Sequence, residues 1–497
     1  MRTSARLALC RSRDLTLGTL LEQFAGVRAE RPLVEEPDGW KLTYAEAADL
    51  VARAGATVAG RVDPGDRVVV TTPNGYRMFL AAAAVARAGA VAVPVNPRMK
   101  PDEIDYVVAD AGARLRIDDF DELVEASPGP APAVAVDPSD IAVLFYTSGT
   151  TGRPKGAELS HRALIGAAHA GALVPEGIVA HGCVTGMPVA HVAGFAGLIM
   201  FAATGIPLYL LTHFRPDDAL DAIESRRAMM FLGVPAMYRM LLEAGAESRD
   251  LSSVRLWSSG ADALPLDIVE RFQRMGGGVG IPGLGRTLGK ATFVDGYGMV
   301  ELGGGVAVRV FAPVPLPMSG ALRPVEGHEF RIADEHGLDV PRGVVGELLI
   351  KGPNVMRGYH GRDDATAEAF TADGWLRTGD LARARGFGFF ELTGRKKDVV
   401  KHGGYSVFPV EVERVLEEHP AVAEAAVLGI ADETKGEVPV AAVRLNAGAT
   451  LGEAELCAFA AERLSDYKVP KRVVVVDELP RTGTEKVRKA DLRPLFT

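Results

Sequence analysis

The segment FYTSGTTGRPKG, residues 145–156, gathers glycines and hydroxyl side chains around a single lysine. Backbone N–H groups that glycine leaves accessible, together with hydroxyls and an ammonium group, are donors that bind phosphate oxygens. The spacing differs from that of the common P-loop, in which a lysine directly follows the second glycine. The composition predicts a phosphate-binding loop of another kind, with these candidate residues: Thr147, Ser148, Gly149, Thr150, Thr151, Gly152 and Lys155.

The alternative for this segment is a surface linker rich in serine and glycine. The preceding run IAVLFYTS, residues 141–148, is typical of a buried strand, and Pro154 prevents a helix from starting directly behind it. A buried strand that leads into a loop with a lysine favours phosphate binding over the linker.

Alternating helix and strand patterns precede this loop. Residues 42–60 have the apolar spacing of a helix behind Thr43, a suitable N-cap, and residues 77–90 predict a second helix that ends at a glycine. Short apolar runs at 66–74 and 91–97 predict buried strands. Repeated units of this kind indicate an α/β fold, with a large N-terminal domain of mostly parallel sheets and flanking helices.

The pattern changes near residue 395. A basic, glycine-containing turn there precedes a helix, and the tail continues with short strands and a helix around Glu453 to Leu464. A segment of about 100 residues with this arrangement is typical of a small α+β domain. We therefore predict two domains, residues 1–395 and 396–497.

Composition limits the classes of partner. The net charge is −9 and 47% of the residues are hydrophobic, which is ordinary for a globular protein and argues against a nucleic-acid or anionic-membrane surface. Three cysteines without metal or redox spacing fit a reducing compartment, and the apolar run near the N-terminus is too short for a signal peptide. We expect a cytoplasmic protein.

Residues 192–211 form an uncharged stretch that is long enough to cross a bilayer. Gly205 and Pro207 divide this stretch, and basic anchors do not flank it. We therefore predict a buried helix to about Thr204, then a turn and a short core strand, in place of a membrane span.

The segment YTSGTTGRPKG resembles the phosphate loop of the adenylate-forming enzymes, which include acyl-CoA synthetases, aryl-CoA ligases, luciferases and peptide-synthetase adenylation domains. Six further segments are similar to motifs of this family and follow in the family's order. They are PVAHVAG (188–194), SSGADALP (258–265), GYGMVE (296–301), GWLRTGD (374–380), GRKKD (394–398) and PRTGTEKVRK (480–489). Seven motifs across nearly the whole chain make the resemblance specific.

The resemblance implies a reaction with ATP, Mg²⁺ and CoA. A carboxylic acid attacks ATP to form an acyl-adenylate, and a thiol then displaces AMP, because a free carboxylate is itself a poor electrophile. Charge must be neutralised at phosphorus, which requires Mg²⁺ and fixed cations. The family also has a small mobile C-terminal domain. We expect the acid, ATP and CoA as small-molecule partners, no nucleic acid and no transmembrane segment, with the oligomeric state open.

The resemblance assigns nucleotide contacts to individual residues. It implies that Glu301 holds Mg²⁺; the alternative is a solvated loop glutamate. The adenine is expected beside Tyr297, Gly260 and Ala261, for which turn or core positions are the alternative. The ribose is expected at Asp380 with assistance from Arg395, although an aspartate in TGD is also common in turns.

Further roles follow from the same resemblance. His191 is expected to border the acyl pocket and to move with the reaction step; a hydrogen-bonded core histidine is the alternative. Lys486 is expected to bridge the substrate carboxylate and the α-phosphate, although a tail lysine is usually solvated and Arg488 and Lys489 lie nearby. The expected hinge is Lys397. The expected contacts to the phosphopantetheine arm of CoA are Gly403 and Gly404, unless these form an ordinary tight turn.

Three departures from the family pattern concern catalysis. Val300 replaces the usual threonine before the glutamate, and Glu485 replaces the usual glycine before the lysine. Residues 276–293 are longer than the usual connection and contain a formal match to the dinucleotide fingerprint. We reject that match because no strand leads in and Pro282 opposes an opening helix. We expect a flexible loop near the acyl pocket.

The acid is the least determined part. Family members for malonate-like acids tend to have an arginine where Gly296 stands, so a dicarboxylate is disfavoured. An apolar channel is expected from Val192, Phe195, Leu232, Gly303 and Gly304. We expect a medium- or long-chain fatty acid, with an aryl or other short acid as the alternative. A carrier-protein acceptor and a nucleotide-binding homologue with impaired catalysis are the other hypotheses.

Overall fold

The computed structural model describes residues 2–12, 14–147, 153–166, 168–174, 181–261, 264–280, 287–313, 320–481 and 487–496. The chain forms two compact units. Unit 1 comprises Met1–His328 and Lys351–Glu368, and unit 2 comprises Glu329–Ile350 and Ala369–Thr497. Residues 329–350 and 369–395 therefore pack with the tail, whereas the predicted boundary lies after Arg395. The domain boundary after Arg395 stays a prediction.

The helices in the described part of the chain are α1 Arg2–Arg11, α2 Leu20–Arg28, α3 Tyr44–Ala59, α4 Tyr76–Arg87, α5 Pro101–Ala111, α6 Phe120–Glu125, α7 His161–Ile165, α8 Val192–Thr204, α9 Pro216–Ser225, α10 Pro235–Glu243, α11 Leu266–Met275, α12 Asp363–Ala369, α13 Pro409–Glu417 and α14 Glu453–Ala461.

The strands of unit 1 are β1 Pro32–Glu35, β2 Lys41–Thr43, β3 Arg67–Val70, β4 Val91–Pro94, β5 Leu115–Ile117, β6 Ile141–Thr147, β7 Lys155–Ser160, β8 Cys183–Thr185, β9 Leu208–Leu210, β10 Met230–Leu232, β11 Leu256–Gly260, β12 Val279–Gly280, β13 Thr287–Leu288, β14 Thr292–Met299, β15 Gly304–Phe311 and β16 Arg323–Pro324. Those that follow are β17 Glu329–Ala333, β18 Val345–Lys351, β19 Leu376–Gly386, β20 Phe389–Arg395, β21 Val400–His402, β22 Tyr405–Val407, β23 Val422–Asp432, β24 Gly436–Leu445 and β25 Val473–Val475.

Local sequence signals explain several of these elements. At the start of α3, the Glu46 N–H donates to Thr43 Oγ1 at 3.3 Å, and the Thr43 N–H donates to Glu46 Oε2 at 2.7 Å. This capping box satisfies two N–H groups that a helix start would leave unpaired. The helix predicted behind Thr43 is thus confirmed, as are the strands at β3, β4 and β6.

The uncharged stretch is also divided as predicted. Helix α8 ends at Gly205, whose φ of +77° lies in the left-handed region that favours glycine, and β9 follows. In the parts of the chain that the structure describes, no helix combines the length and apolar character needed to span a bilayer.

Unit 1 contains two main sheets. The large sheet has nine strands in the order β16-β15-β14-β11-β10-β8-β9-β1-β2, and β9, β8, β10, β11 and β14 run parallel to one another. The small sheet has the order β5-β3-β4-β6-β7 and is parallel except for β7. Because parallel strands present their carboxyl ends at one edge, loops after β8, β10, β11 and β14 meet there.

An aromatic cluster fixes one face of the large sheet. The rings of Tyr238 and Phe272 lie 4.8 Å apart, and the rings of Trp257 and Phe272 lie 4.9 Å apart, all in edge-on arrangements. Such pairs stabilise a core beyond their buried area. This packing fixes β11, which leads into the SSGAD segment.

The segment 276–293 differs in part from the predicted flexible loop. Its β12 and β13 pair as antiparallel strands, and the Gly278 N–H donates to the Gly289 carbonyl at 3.0 Å. Backbone pairing of the two arms therefore orders the ends of this segment, and residues 281–286 lie outside the described range.

Unit 2 has a four-stranded sheet in the order β17-β18-β19-β20 and a five-stranded sheet in which β25 joins β22-β21-β24-β23. Helix α13 packs against the long strand β23, and the predicted tail helix is α14. The predicted combination of a large α/β part and a smaller α+β part is confirmed.

Candidate active site

The predicted phosphate loop lies between the paired strands β6 and β7. Thr147 is the last residue of β6 and stands opposite Lys155, the first residue of β7. The Thr147 hydroxyl lies 3.5 Å from the Lys155 carbonyl oxygen. The hairpin therefore brings these two candidate residues together, whereas Ser148, Gly149, Thr150, Thr151 and Gly152 lie outside the described residues.

Glu301 lies in a short 3-10 turn, Val300–Leu302, between β14 and β15. It is 8% exposed, and the Tyr359 hydroxyl donates to its Oε1 at 2.7 Å. The alternative of a solvated loop glutamate is therefore wrong. Burial of the phenol, with the Glu301 carboxylate beside it, raises the pKa of Tyr359, so this hydroxyl remains a donor.

Tyr359 also contacts the base of the phosphate loop. The Lys155 ammonium lies 5.1 Å from the centroid of the Tyr359 ring, within the range of a cation–π interaction. One tyrosine thus contacts the loop lysine with its ring and the glutamate with its hydroxyl. The sequence reading missed Tyr359, because an aromatic residue behind Gly358 gives no motif that indicates this role.

The residues around Glu301 fit a magnesium ion that is bound together with nucleotide. In the described ranges, no group of three or more histidine, cysteine, aspartate or glutamate side chains could hold a metal by itself. Mg²⁺ in nucleotide sites commonly takes one or two protein carboxylates and completes its shell with phosphate oxygens and water. A single buried carboxylate therefore suits Mg²⁺ that arrives with ATP.

The predicted adenine residues lie at the carboxyl edge of the large sheet. Gly260 ends β11 and stands beside Gly296 of β14, and a Cβ on Gly260 would lie 2.9 Å from the Gly296 carbonyl oxygen. Ala261 has a φ of +75°, which L-residues with a side chain rarely adopt. Tyr297 is buried on the neighbouring strand. Gly260, Ala261 and Tyr297 therefore lie close together where the neighbouring strands β11 and β14 end.

His191 has a defined role at the start of α8. It is the N-cap residue, and its Nδ1 accepts a hydrogen bond from the Ala193 N–H at 3.2 Å. A neutral imidazole with Nδ1 as acceptor carries its hydrogen on Nε2. The side chain is half-buried, so it is not an enclosed core histidine.

The residues predicted for the acyl channel pack tightly. Phe195 is fully buried, with its ring 5.1 Å from that of Phe79 and 5.4 Å from that of Phe145. A Cβ on Gly303 would lie 2.8 Å from the Ala163 carbonyl oxygen, and one on Gly304 would lie 2.9 Å from the Ala196 Cβ. The two glycines therefore allow close packing, and Val192 is also buried.

A separate apolar cluster lies at the carboxyl edge of the large sheet, behind β8, β10 and β11. We call it the edge cluster. Its buried members are Met187, Val234, Ala236 and Met237, and its partly buried members are Ala193, Phe214, Leu232 and Ala261. Because it includes Ala261, the edge cluster adjoins the residues predicted for the adenine.

In unit 2, Asp380 and Arg395 stand opposite each other on β19 and β20. Arg395 Nε lies 3.0 Å from Asp380 Oδ1, with the aspartate side chain 8% exposed and the arginine 46% exposed. Asp380 therefore lies on a strand, and its alternative as a turn aspartate is wrong. The pair predicted for the ribose is brought together.

Gly403 and Gly404 form the two-residue turn between β21 and β22, in which His402 pairs with Tyr405. Their φ values of +56° and +86° are the left-handed values that such hairpin turns require. A Cβ at either position would meet nothing within 4 Å, so the turn is open on its outer side. Lys397 lies in a 3-10 turn, Lys396–Asp398, directly after β20.

Lys486 lies outside the described residues, but its surroundings in unit 2 are defined. Arg481 and Val487 pair as an antiparallel bridge, and Arg481 is held by Glu424 at 2.6 Å. Lys489 Nζ lies 2.6 Å from Glu413 Oε1. Lys489 therefore has a carboxylate partner of its own.

Comparison with known proteins decides the family. The model of the AMP-binding enzyme family matches residues 21–360, and the model of the AMP-binding enzyme C-terminal domain matches residues 411–486. The chain belongs to the AMP-binding enzymes. The resemblance found in its motifs is thus confirmed.

Curated relatives of this AMP-binding enzyme span nearly the same length. A feruloyl-CoA synthase of Amycolatopsis sp is 35% identical over 481 residues, covering 92% of this chain and 94% of that protein. A methyl-dioxo-octahydro-indenyl-propanoyl:CoA ligase of Mycobacterium tuberculosis is 34% identical over 505 residues, covering 92% and 94%. Both alignments therefore extend over the two units.

Solved structures of AMP-binding enzymes share the fold. The o-succinylbenzoate CoA synthetase of Bacillus subtilis, in complex with its acyl-adenylate intermediate, is 28% identical with a TM-score of 0.80, covering 96% of this chain and 98% of that one. The same synthetase was also solved with ATP and a magnesium ion. The chain is an AMP-forming acid–thiol ligase, and ATP, Mg²⁺ and CoA are the nucleotide, metal and thiol of such CoA ligases.

Proposed function

We propose that this ligase activates an aryl or other cyclic, largely apolar carboxylic acid and transfers it to CoA. The single observation that carries the proposal is the edge cluster, whose compact set of apolar side chains packs directly against Ala261. The relatives support it, since they are named for feruloyl, octahydro-indenyl-propanoyl and o-succinylbenzoyl thioesters. The expected straight-chain fatty acid has no such support.

The packing around Gly303 and Gly304 favours a compact acyl pocket rather than a long channel. The volume that a side chain at Gly303 or Gly304 would take is occupied by the Ala163 carbonyl group and by Ala196. The edge cluster instead contains Met187, Met237 and the Phe214 ring. Thioethers and aromatic rings make favourable contacts with a flat ring, and methionine adapts to irregular shapes.

In the first half-reaction, a carboxylate oxygen of the acid bonds to the α-phosphorus of ATP. The bond from that phosphorus to the bridging oxygen breaks, and pyrophosphate leaves with the electron pair. The Thr147–Lys155 loop binds the β- and γ-phosphates, and Lys486 neutralises charge between the carboxylate and the α-phosphate. Glu301 would hold Mg²⁺ together with ATP, and the bound ion would supply positive charge beside the phosphates.

The nucleoside is bound by two further groups of residues. Tyr297 packs beside the adenine, and Gly260 and Ala261 provide its backbone wall. Asp380 accepts hydrogen bonds from the ribose hydroxyls, and Arg395 fixes that carboxylate through the 3.0 Å contact. His191 borders the acyl group, and its imidazole is oriented by the hydrogen bond that Nδ1 accepts from the Ala193 N–H.

In the second half-reaction, the CoA sulfur bonds to the acyl carbon and its thiol proton is released to solvent. The bond between the acyl carbon and the AMP oxygen breaks, and AMP leaves. We assign the hinge between the two half-reactions to Lys397, with domains 1–395 and 396–497. The open Gly403–Gly404 turn approaches the phosphopantetheine arm, which bare backbone allows at short distance.

An acid panel tests the substrate class. Acid-dependent exchange of pyrophosphate into ATP is measured with ferulate, indoleacetate and benzoate and with straight-chain acids of equal carbon number. We expect kcat/KM for the best cyclic acid to exceed that of its straight-chain counterpart at least ~10-fold, as about 1.4 kcal/mol of differential binding gives. A straight-chain acid that reacts faster than every cyclic one would contradict the proposal.

A pair of variants locates the pocket. Met237→Trp fills the edge cluster and should raise KM for the cyclic acid without changing KM for ATP. Met200→Trp is the matched control, because Met200 is exposed on α8. Equal effects of the two substitutions would exclude the edge cluster as the acyl pocket. Thioester formation with free CoA, compared with a carrier protein, identifies the acceptor.

A second candidate is a nucleotide-binding homologue with impaired catalysis. Val300 cannot supply the hydroxyl that usually contacts phosphate, and Glu485 adds a negative charge next to Lys486 in the sequence. This candidate predicts that MgATP binds but that no acid in the panel supports exchange. Exchange with any one acid excludes it.

A further inference from the structure

Asp110 lies outside the groups described above, and its carboxylate accepts hydrogen bonds from Tyr146 and Arg362 and lies close to the Tyr106 hydroxyl. It is near the end of α5, and its carboxylate is only 7% exposed. Its Oδ2 accepts from the Tyr146 hydroxyl at 2.9 Å. Its Oδ1 accepts from the Arg362 guanidinium and lies 3.2 Å from the Tyr106 hydroxyl. A buried carboxylate with this many donors is held in one position.

The partners of Asp110 contact both ends of the predicted phosphate loop. Tyr146 directly precedes Thr147, and its ring lies 3.1 Å from the place that a Cβ on Gly156 would take. At the other end, the Tyr106 hydroxyl lies 3.0 Å from the Pro154 carbonyl oxygen. The Arg153 guanidinium lies 5.3 Å from the centroid of the Tyr106 ring. Asp110 is thus one side chain away from the start and from the end of the loop.

The Tyr106 hydroxyl lies between two acceptors, Asp110 Oδ1 and the Pro154 carbonyl oxygen. A tyrosine hydroxyl has one hydrogen, so Tyr106 can donate either to Asp110 or to the Pro154 carbonyl at a given moment. Tyr146 and Arg362 already donate to the two carboxylate oxygens. The Tyr106 hydroxyl lies closer to the Pro154 carbonyl oxygen, at 3.0 Å, than to Asp110 Oδ1, at 3.2 Å, so donation to Pro154 is favoured and restrains the end of the loop.

Arg362 links this group to the carboxylate proposed for Mg²⁺. The Arg362 N–H donates to the Tyr359 carbonyl at 3.1 Å, and the Tyr359 hydroxyl donates to Glu301. Tyr359 in turn lies beneath Lys155. One connected set of contacts therefore reaches the loop lysine, both ends of the loop and Glu301, and Asp110 is its buried acceptor.

We propose that Asp110 is a positioning residue for the two described ends of the phosphate loop, Tyr146–Thr147 and Arg153–Lys155, and that holding these ends in place supports binding of the β- and γ-phosphates of ATP. The proposal rests on the phosphate-binding role of that loop and is independent of which acid the enzyme activates. Asp110 acts through Tyr146, Tyr106 and Arg362 and contacts no substrate itself.

The test compares two nucleotides on the purified full chain. Dissociation constants for MgATP and for AMP are measured by titration calorimetry without any acid, in the wild type and in Asp110→Asn. AMP lacks the β- and γ-phosphates, so a loop that loses its geometry weakens only MgATP. We expect the MgATP constant to rise ~10-fold, the effect of ~1.4 kcal/mol, and the AMP constant to change less than ~2-fold.

Tyr106→Phe provides a milder variant that keeps the carboxylate bonded to Tyr146 and Arg362 while releasing Pro154. It should weaken MgATP ~3-fold or more and leave AMP unchanged, since one hydrogen bond is lost. Tyr44→Phe is the matched control, because the buried Tyr44 hydroxyl donates to the Ala202 carbonyl at 2.7 Å, a bond that involves none of the loop contacts. Should Asp110→Asn not fold, Tyr106→Phe and its control decide.

Equal weakening of MgATP and AMP in Asp110→Asn, or no change in either, overturns the proposal and leaves Asp110 a structural residue. A wild-type protein that binds MgATP no more tightly than AMP also overturns it. Because no acid is present, a failure of the acid panel under the proposed function leaves this result unaffected, and the two failures are distinguishable.

Discussion

The phosphate region of unit 1 and the residues of unit 2 that we propose to contact CoA differ in how enclosed their groups are. In the first, Glu301 is 8% exposed and bonded to Tyr359, and Lys155 lies on the same tyrosine. In the second, the Gly403–Gly404 turn has no atom within 4 Å of the outer Cβ positions. The first region has its charged groups placed before any ligand arrives, and the second presents bare backbone.

The physical reason for the difference lies in desolvation. A buried carboxylate must be hydrogen-bonded in the folded chain because an unsatisfied one is very unfavourable. Under the proposed function, the same bonds would hold Glu301 where phosphate charge develops. A ligand arm that enters only for the second half-reaction is better met by backbone that permits close approach. The two regions should therefore separate the two half-reactions when they are altered.

The largest effect is expected from a residue of the C-terminal region that serves the first half-reaction. Lys486→Ala should lower the rate of adenylation by ~10³-fold, since it removes a cation from the developing charge. Thioester formation from supplied acyl-adenylate should be retained. Both rates are measured separately, and Lys489→Ala is the control because Lys489 is paired with Glu413. Loss of both half-reactions would contradict the assigned role.

Glu301→Gln should lower adenylation by ~10²-fold and raise the Mg²⁺ concentration needed for half-maximal rate, because an amide binds Mg²⁺ more weakly than a carboxylate does. Tyr359→Phe should have a smaller effect of ~10-fold, since the carboxylate remains but loses the 2.7 Å hydrogen bond. Magnesium titrations of the exchange rate measure both. A Glu301→Gln enzyme with unchanged magnesium dependence would remove Glu301 from the metal site.

Gly403→Ala should act on the second half-reaction alone. Alanine at a φ of +56° is strained by ~1 kcal/mol, and its methyl group would project into the path of the phosphopantetheine arm. We expect a KM for CoA that is raised ~10-fold with unchanged pyrophosphate exchange. Gly448→Ala is the matched control, with a φ of +77° and open space around its Cβ. A loss of exchange in Gly403→Ala would refute the separation.

The last and smallest predicted effect concerns the pH dependence of folding stability and the buried side chain of His161. His161 follows β7, accepts the Leu17 N–H at Nδ1, and burial lowers its pKa to about 4. In the unfolded chain His161 gains a proton as the pH falls below ~6.5, whereas in the folded chain it does so only near pH 4. Its contribution to the free energy of unfolding is therefore fully present above pH ~6.5 and is lost as the pH falls toward ~4. At about pH 5 the loss is ~2 kcal/mol.

Thermal unfolding of His161→Gln should therefore be less sensitive to pH between ~7.5 and ~5 than that of the wild type. His336→Gln is the control, because His336 is 75% exposed in unit 2. If both variants follow the wild-type curve, His161 is not protected from protonation by the fold.

Much of the fold could be predicted from local patterns. The capping box at Thr43, the strand before the phosphate loop and the helix, turn and strand of residues 192–211 each depend on neighbouring residues alone. The opposition of Asp380 and Arg395 was expected only from the resemblance, since a β-hairpin register depends on bulges that the sequence does not mark.

Seven motifs in the family's order were enough to identify the chemistry as that of an adenylate-forming ligase. Tertiary structure alone brought Tyr359 to Glu301 and Lys155, and Asp110 to Tyr146 and Arg362. These partners are 36 to 252 residues apart in the chain. Contacts at such separations arise when packed strands and helices bury their polar groups together, and no local pattern records which groups will meet.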